Sequence, residues 1–383
     1  MKSDSNQIQK ILTTNWKVIP FQQAIQDRTG GNPKIKKSEY REQGRLAIID
    51  QGEKLIGGYT DDQSLACKEN LPCILFGDHT KEFKFINEPF ALGADGLKVL
   101  SPLDGFDKRF IFYFLKTIKL PKGLGYSRHY KFLKEANIVM PPIQEQKRIA
   151  AILDKAEAIR RKREEAIKLA DDFLRSVFLD MFGDPVTNPK GWAVLNFGDV
   201  GTSRLGKMLD KGREVGDCQY PYLANFNVQW GRFNLDNLRC MDFSEEDRKE
   251  FELREGDLLI CEGGEVGRTA IWRNELNSVF FQKALHRVRL DLSITNPEYV
   301  QSYMLFMAKN GGFGDFTNSA TIAHLTGVKL KMLPIPIPPL NIQKNFSKIF
   351  KSIERQKILL NSQLVSQNML FGSLQQRAFK GEL

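Results

Sequence analysis

The chain is poor in cysteine and histidine and has no long apolar run. Its five cysteines, Cys67, Cys73, Cys218, Cys240 and Cys261, are odd in number and scattered, without a Cys-x-x-Cys pair. The four histidines are equally dispersed, so no metal site is expected. The thiols read as reduced, as in a cytosolic protein. No apolar stretch approaches the roughly 18 residues of a membrane span. The greasiest run, Phe110-Ile111-Phe112-Tyr113-Phe114-Leu115, suits a buried helix. The opening Met1-Lys2-Ser3-Asp4-Ser5-Asn6-Gln7 is polar, which predicts no signal peptide and a cytoplasmic location. Acidic groups are outnumbered: the net charge is +10 and the pI about 9.2, favouring a polyanionic partner, although charge alone does not separate nucleic acid from an acidic protein or membrane.

Glycine and proline are missing from one long stretch, between Gln144 and Phe182, where Ala, Glu, Lys, Arg and Leu dominate. That composition predicts a helix of roughly 40 residues, about 60 Å long. It opens on Pro141-Pro142-Ile143-Gln144-Glu145-Gln146-Lys147, since proline is tolerated where helical N–H groups are unpaired anyway. The stretch occurs twice. Pro338-Pro339-Leu340-Asn341-Ile342-Gln343-Lys344 opens a second helix, interrupted only by Gly372. At a constant offset of about 197 positions, Pro141/Pro338, Pro142/Pro339, Gln146/Gln343, Lys147/Lys344, Ile152/Ile349, Ser176/Ser373 and Phe182/Phe379 coincide. Apolar residues recur at three- and four-residue steps. The expected seam comprises Ile149, Ile152, Ala156, Ile159, Ala170, Phe173 and Val177 in the first helix, with Ile349, Ile353, Leu360, Leu364, Phe371 and Leu374 in the second. So narrow a seam on a charged helix needs a long partner, and the two helices are the obvious pair.

Before each helix lies an α+β text, and the 383 residues of the whole chain leave room for two or three domains with separate cores. After a polar lead-in over 1–14, Trp16-Lys17-Val18-Ile19-Pro20-Phe21 begins short strand patterns at 46–49, 73–76, 83–86 and 97–100, then a helix at 108–119. Trp192-Ala193-Val194-Leu195-Asn196-Phe197 restarts the cycle, with strands at 219–224, 257–261, 269–272 and 285–290 and a helix at 298–309. The plan is domain 1–140, helix 141–183, domain 184–337, helix 338–383. The expected fold class is α+β, two α/β domains separated by two long antiparallel helices forming a coiled coil, with a pseudo-twofold repeat.

These residues resemble the specificity subunit of Type I restriction-modification enzymes, over nearly the whole chain. Ile138-Val139-Met140-Pro141-Pro142-Ile143-Gln144-Glu145-Gln146 is similar to the family's Pro-Pro-x-x-Glu-Gln opening; the second copy has Ile342 in place of the glutamate. Phe76-Gly77-Asp78-His79-Thr80 and Gly93-Ala94-Asp95-Gly96-Leu97-Lys98-Val99-Leu100 resemble one recurrent recognition-domain type. The stretches 221–228, 256–264 and 266–270 resemble another, with Phe281-Gln282-Lys283-Ala284 departing from its usual pattern. The resemblance implies two target recognition domains reading a bipartite double-stranded DNA target across a helical spacer, and the differing sequences of the two domains make that target asymmetric. It also implies two methyltransferase subunits carrying S-adenosylmethionine, with restriction/translocase subunits driven by ATP and Mg, and no cofactor in this chain.

An enzyme is the alternative class. Asn87-Glu88-Pro89-Phe90 partly matches the Asn-Pro-Pro-Phe/Tyr motif of DNA adenine methyltransferases, but Glu88 replaces a proline and no Gly-rich methyl-donor loop precedes it. The run 261–268 is glycine-rich without the Gly-Lys-Ser/Thr of a phosphate loop. No catalytic residue is therefore assigned. The DNA-binding candidates are the basic clusters Lys34, Lys36, Lys37, Arg45 and Arg204, Lys207, Lys211, Arg213, whose structural reading is a solvated face. To these add His79 and Lys81 in a turn that Asp78 could cap by itself, Arg268 in a tight turn, and, before the long helices, Arg128, His129, Asn318, Thr321 and His324. Arg can pair with guanine and Asn with adenine in a bidentate way, although most such contacts reach only phosphate. The run Arg160-Arg161-Lys162-Arg163 reads as salt-linked surface beside Glu164 and Glu165, with spacer DNA or a partner subunit as the alternative.

Overall fold

The computed structural model describes residues 16–94, 96–121, 128–209, 216, 219–314 and 324–383. The lead-in 1–14 and the candidates Lys211, Arg213, Asn318 and Thr321 lie outside the described residues. The chain divides into two compact units, residues 1–164 with 362–383, and residues 165–361. Each unit therefore takes one α+β domain and part of both long helices.

In the first unit the strands Ile25–Asp27, Leu97–Pro102, Cys73–Gly77 and Phe83–Ile86 lie side by side, all antiparallel. A second sheet orders Lys34–Ile35, Phe90–Gly93, Leu46–Ile49 and Gly58–Thr60, the first three parallel. The helix Lys108–Leu115 starts where the Asp107 carboxylate accepts the N–H groups of Arg109 and Phe110. All six residues from Phe110 to Leu115 are buried. A helix apolar on every side must be covered on every side. It packs against the first sheet, and the Phe110 and Phe114 rings meet Phe379, at the end of the chain, at 5.4 and 5.2 Å between centroids.

The second unit repeats the antiparallel sheet strand for strand and the mixed sheet with one strand fewer, and adds a small ribbon of Val228–Gln229 with Arg232–Phe233. Gly201–Leu205, Leu285–Leu290, Leu258–Cys261 and Thr269–Ile271 form the antiparallel sheet. Arg239–Asp242, Gln219–Leu223 and Phe280–Phe281 form the mixed one, with the last pair parallel. Lys207 makes a single parallel bridge to Gln282, in the place held by Lys34–Ile35 in the first unit. In both units a two-stranded ribbon, Lys17–Pro20 with Asn137–Met140 or Ala193–Asn196 with Pro334–Ile337, sets the start of the domain beside the start of its long helix. That pairing accounts for the two Trp-led openings. Pro334 and Pro336 are accommodated because a two-stranded ribbon leaves each strand an open edge.

The long helices run Ile143–Phe182 and Leu340–Ala378. The repeated glutamine explains the shared opening. Gln146 is fully buried; its Oε1 accepts the Asp107 N–H at 2.8 Å, and its Nε2 donates to the Gly105 and Pro141 carbonyls at 2.9 Å each. Gln343 does the same in the second unit, accepting from the Asn296 N–H at 2.9 Å and Thr295 Oγ1 at 3.0 Å, and donating to the Pro338 and Ile294 carbonyls at 2.7 and 3.2 Å. Glu145 only pairs with Arg148 one turn on, at 2.8 Å. Its replacement by Ile342 costs the second copy nothing structural.

Within each unit the helix segments pair antiparallel. In the first, Arg148 donates to the Leu383 carbonyl, Arg160 lies 5.9 Å from the Phe371 ring centre, and Arg163 bonds Gln363. In the second, Lys357 bridges Asp171 at 2.7 Å, while Phe178 and Phe182 meet Phe346 at 5.8 and 5.2 Å. Ile149, Leu153, Phe178, Phe182, Phe346 and Phe350 are buried, each worth roughly 1.5–3 kcal/mol. Ile152, Ala156, Ala170, Val177, Ile349, Ile353, Leu360, Leu364, Phe371 and Leu374 are half-buried flanks.

Two expected seam residues are not in it: Ile159 and Phe173 are each 51% exposed. A helix turns about 100° per residue. The inward row of the first unit runs Ile149, Leu153, Glu157, Arg160, which carries Ile159 off to the side. In the second unit Leu174 and Phe178 hold the inward face and Phe173 stands one step round. The middle of the seam is polar: Glu157, its side chain 8% exposed, accepts from Arg160 at 2.8 Å and Arg161 at 3.2 Å. Burial alone would raise the Glu157 pKa, but these bonds and the cationic charges of Arg160, Lys116 and Arg161 hold it below the usual glutamate value.

Candidate nucleic-acid interface

At one edge of each antiparallel sheet, a hairpin loop is tied to two distant segments by the same bonds. In the first domain the loop joins Cys73–Gly77 to Phe83–Ile86. Gly77 N–H donates to the Glu82 carbonyl and Lys81 N–H to the Gly77 carbonyl, both at 2.8 Å, with Lys81 left-handed at φ 67°. Asp78 N–H donates to the Gly96 carbonyl at 2.6 Å, and the Asp78 carbonyl accepts the His129 N–H at 2.8 Å. In the second domain Cys261 N–H donates to the Arg268 carbonyl at 2.8 Å, and Gly267 N–H, at φ 76°, to the Cys261 carbonyl at 3.1 Å. Glu262 N–H donates to the Ala284 carbonyl at 3.0 Å, and the Glu262 carbonyl accepts the Leu325 N–H at 2.7 Å. Gly77 thus corresponds to Cys261, Asp78 to Glu262, Lys81 to Gly267, Gly96 to Ala284 and His129 to Leu325.

Side chains complete each clamp differently. The Asp78 carboxylate caps the Tyr130 N–H at 2.7 Å rather than its own turn, and the Thr80 hydroxyl donates to the Gln51 carbonyl at 2.6 Å. In the second domain His286, 2% exposed, points Nε2 at the Leu325 carbonyl at 3.2 Å, and burial pushes its pKa below the ordinary histidine value. A neutral imidazole donating from Nε2 fits that contact. Burial likewise raises the Cys261 thiol to about 11, so it packs as a small apolar group.

The structure sorts the candidates. Lys34, Lys36, Lys37, Arg45, Arg128 and His324 are exposed, and His79 is half-buried in its loop. Arg204 is exposed but paired with Glu250 at 2.7 Å. Three others, His129, Lys207 and Arg268, are committed inward, contrary to a DNA-facing role, while Lys81 is tied to a carbonyl at the surface. His129 is 2% exposed, with Nδ1 3.1 Å from the Asp78 carbonyl. Lys81 donates to the Pro121 carbonyl at 2.7 Å. Lys207 bonds Asp247 at 2.6 Å under the Phe243 ring. Arg268, its side chain 14% exposed, donates to the Asn225 carbonyl at 2.8 Å and so holds the turn Asn225–Asn227 against the hairpin. Each basic group satisfied by a protein acceptor has lost the freedom to follow a groove. In the run 160–163, Arg160 and Arg161 are paired with Glu157, and Arg163 is bonded to Gln363. Phe90 is 1% exposed inside its strand, so the stretch 87–90 offers no ring to a flipped base.

Two residues escaped sequence reasoning. Phe226, 47% exposed on the turn that Arg268 holds, carries the Arg239 guanidinium 5.2 Å over its ring. An exposed aromatic with a cation on its face suits stacking on bases. The only hint was an aromatic flanked by Asn225 and Asn227. Among the described residues no helix is long and apolar enough to cross a membrane, and no group of three or more His, Cys, Asp or Glu side chains could hold a metal.

A tandem pair of α+β domains, each followed by a long helix and each presenting the same clamped hairpin, defines a duplicated recognition protein. The family model for the Type I restriction modification DNA specificity domain matches residues 16–169 and again 189–367, and the chain belongs to that family. It is similar to a type I restriction enzyme specificity subunit of Haemophilus influenzae, 25% identical over 266 residues, covering 67% of this chain and 66% of that protein. The EcoKI specificity subunit of Escherichia coli is 23% identical over 269 residues, covering 64% of this chain and 58% of that one. The chain thus spans less than two thirds of the length of these curated relatives, 66% of one and 58% of the other. Among solved structures, the S subunit of a Type I restriction-modification system from M. genitalium shares the fold, with a TM-score of 0.61, 15% identity and 96% of each chain covered. A chain from a type I R-M system structure concerned with complex assembly and conformational transition gives 0.52 at 16% identity, covering 97% of this chain and 99% of that one.

Proposed function

We propose that this chain is the non-catalytic, DNA-reading subunit of a Type I restriction-modification complex. Each α+β domain reads one half of a split, asymmetric double-stranded target, and the long helices set the span between the halves. The observation that carries this reading is the repetition of one clamped hairpin in two domains whose exposed side chains differ. Identical scaffolds with different side chains are what two unlike half-sites require. On this proposal two methyltransferase subunits bring S-adenosylmethionine and the adenine-methylating chemistry, and restriction subunits bring ATP and Mg. The specificity relatives motivate that division of labour.

The test alters the helices and leaves the domains alone. A matched insertion of one or two turns in both helices should lengthen the indifferent spacer, while the half-site sequences stay as they were. Methylated adenines mapped in the host genome, with and without the altered gene, give the readout. Changed half-sites, or an unchanged spacer, would overturn the proposal. Calorimetry of the isolated chain with S-adenosylmethionine separates it from a free-standing methyltransferase, which would bind the methyl donor itself.

A further inference from the structure

The matched clamps fix one more equivalence. His129 corresponds to Leu325, so the residues just before them, Arg128 and His324, occupy the same position in the two domains. Both are exposed. In the first domain the next two N–H groups, of His129 and Tyr130, are held by Asp78 at 2.8 and 2.7 Å. In the second, the Leu325 N–H is held by Glu262 at 2.7 Å, and the His324 ring sits so close over Gly263 that a Cβ there would lie 2.9 Å from its Cε1. The backbone of each is thus anchored to the hairpin while its side chain stays outside. Their basic neighbours His129 and Arg268 are bonded inward, and Lys81 is tied to the Pro121 carbonyl at the surface.

We infer that Arg128 and His324 are the matched specificity-determining residues of the two domains, each reading a base pair at the same place in its own half-site. This rests on the DNA-reading function proposed above. Anchored backbone with an exposed polar head, held in the case of His324 by its packing over Gly263, is the arrangement that reads bases with little ordering cost on binding. The chemistry differs in a useful way. An arginine fork matches guanine O6 and N7 in the major groove, whereas an imidazole has only two ring nitrogens, which point apart and cannot form that fork. One scaffold position would then favour different bases in the two halves.

Selection of bound duplexes from a randomised pool tests this, using the full chain together with the methyltransferase subunits it assembles with. Arg128→Ala should cut the preference at one base pair of one half-site by about tenfold or more and leave the other half untouched. His324→Ala should do the reverse. Arg128→Lys, which keeps the charge without the fork, should lose the same preference. Exchange variants, Arg128→His and His324→Arg, should each change the favoured base at the same position. An even loss of affinity across all sequences with a shallower salt dependence would mark phosphate contacts and overturn the inference, as would an unaltered preference. A wild-type complex that selects no split motif would instead sink the DNA-reading function. Thermal unfolding at the wild-type temperature shows that each variant is folded.

Discussion

Lys81 adopts a left-handed backbone where the second domain has Gly267, and Ala284 adopts one where the first domain has Gly96, both of the latter at φ 83°. The two hairpin clamps therefore demand the same pair of left-handed residues and fill them in opposite ways. A left-handed non-glycine residue costs about 1–2 kcal/mol. The backbone bonds across the clamp keep it in place, so bonding, not residue type, fixes the loop. Lys81 also gains a bond from Nζ to Pro121, whereas Ala284 has only its backbone to offset the strain. The second clamp is thus the more strained of the two.

The comparison is broken most severely at the pins that seat each domain on its helix. Gln146→Leu leaves the Asp107 N–H and the Gly105 and Pro141 carbonyls unpaired in a buried setting, which should destabilise by about 2–4 kcal/mol. Gln343→Leu should cost the second unit a similar amount. Urea unfolding of both variants is the check; one silent variant would show that the repeats are not equivalent. Glu145→Ala, at the neighbouring position, should change stability by less than about 0.5 kcal/mol, because its partner Arg148 is a surface contact.

Next come the left-handed positions. Gly96→Ala would force strain and place a Cβ 2.6 Å from Gln51 Oε1, so a loss of about 1–3 kcal/mol is expected. Ala284→Gly should move the other way, stabilising by up to about 1 kcal/mol as the strain is released. Thermal unfolding of the pair reads both signs. If Ala284→Gly destabilises, the second clamp is not strained and the comparison fails.

The architecture was largely legible before any coordinates. The double prolines, the long helical stretches almost free of glycine and the Trp-led openings are local signals, and the duplication made each confirm the other. The rotational phase of the helices was less so: three- and four-residue steps identify a helix but not which neighbouring row faces inward, and Ile159 and Phe173 were misplaced for that reason. The site was legible only as a set of loops. Whether Arg268 or Lys207 faces DNA depends on Asn225 and Asp247, partners about 40 positions away that no local pattern announces. The clamp itself is made of backbone groups, which every residue carries.

A modest, pH-dependent effect sharpens a different contrast, between the polar middle of the helix pair and its apolar ends. Glu157 has a native pKa below the ordinary glutamate value of about 4.3. Its stabilisation is therefore fully present above that value and is lost as pH falls through the lower native pKa. Glu157→Gln keeps the shape but removes the charge that Arg160 and Arg161 face, and should cost on the order of 1 kcal/mol at pH 7. As pH falls through that depressed native pKa the wild-type and variant stabilities should converge, because the wild-type side chain becomes neutral too. Leu153→Ala, in the apolar part of the seam, should instead show the same deficit at every pH, since no titrating group is removed. Chemical unfolding from pH 7 to pH 3 separates the two behaviours. A Glu157→Gln deficit that persists undiminished in acid would show that the helix middle is held by packing rather than by charge.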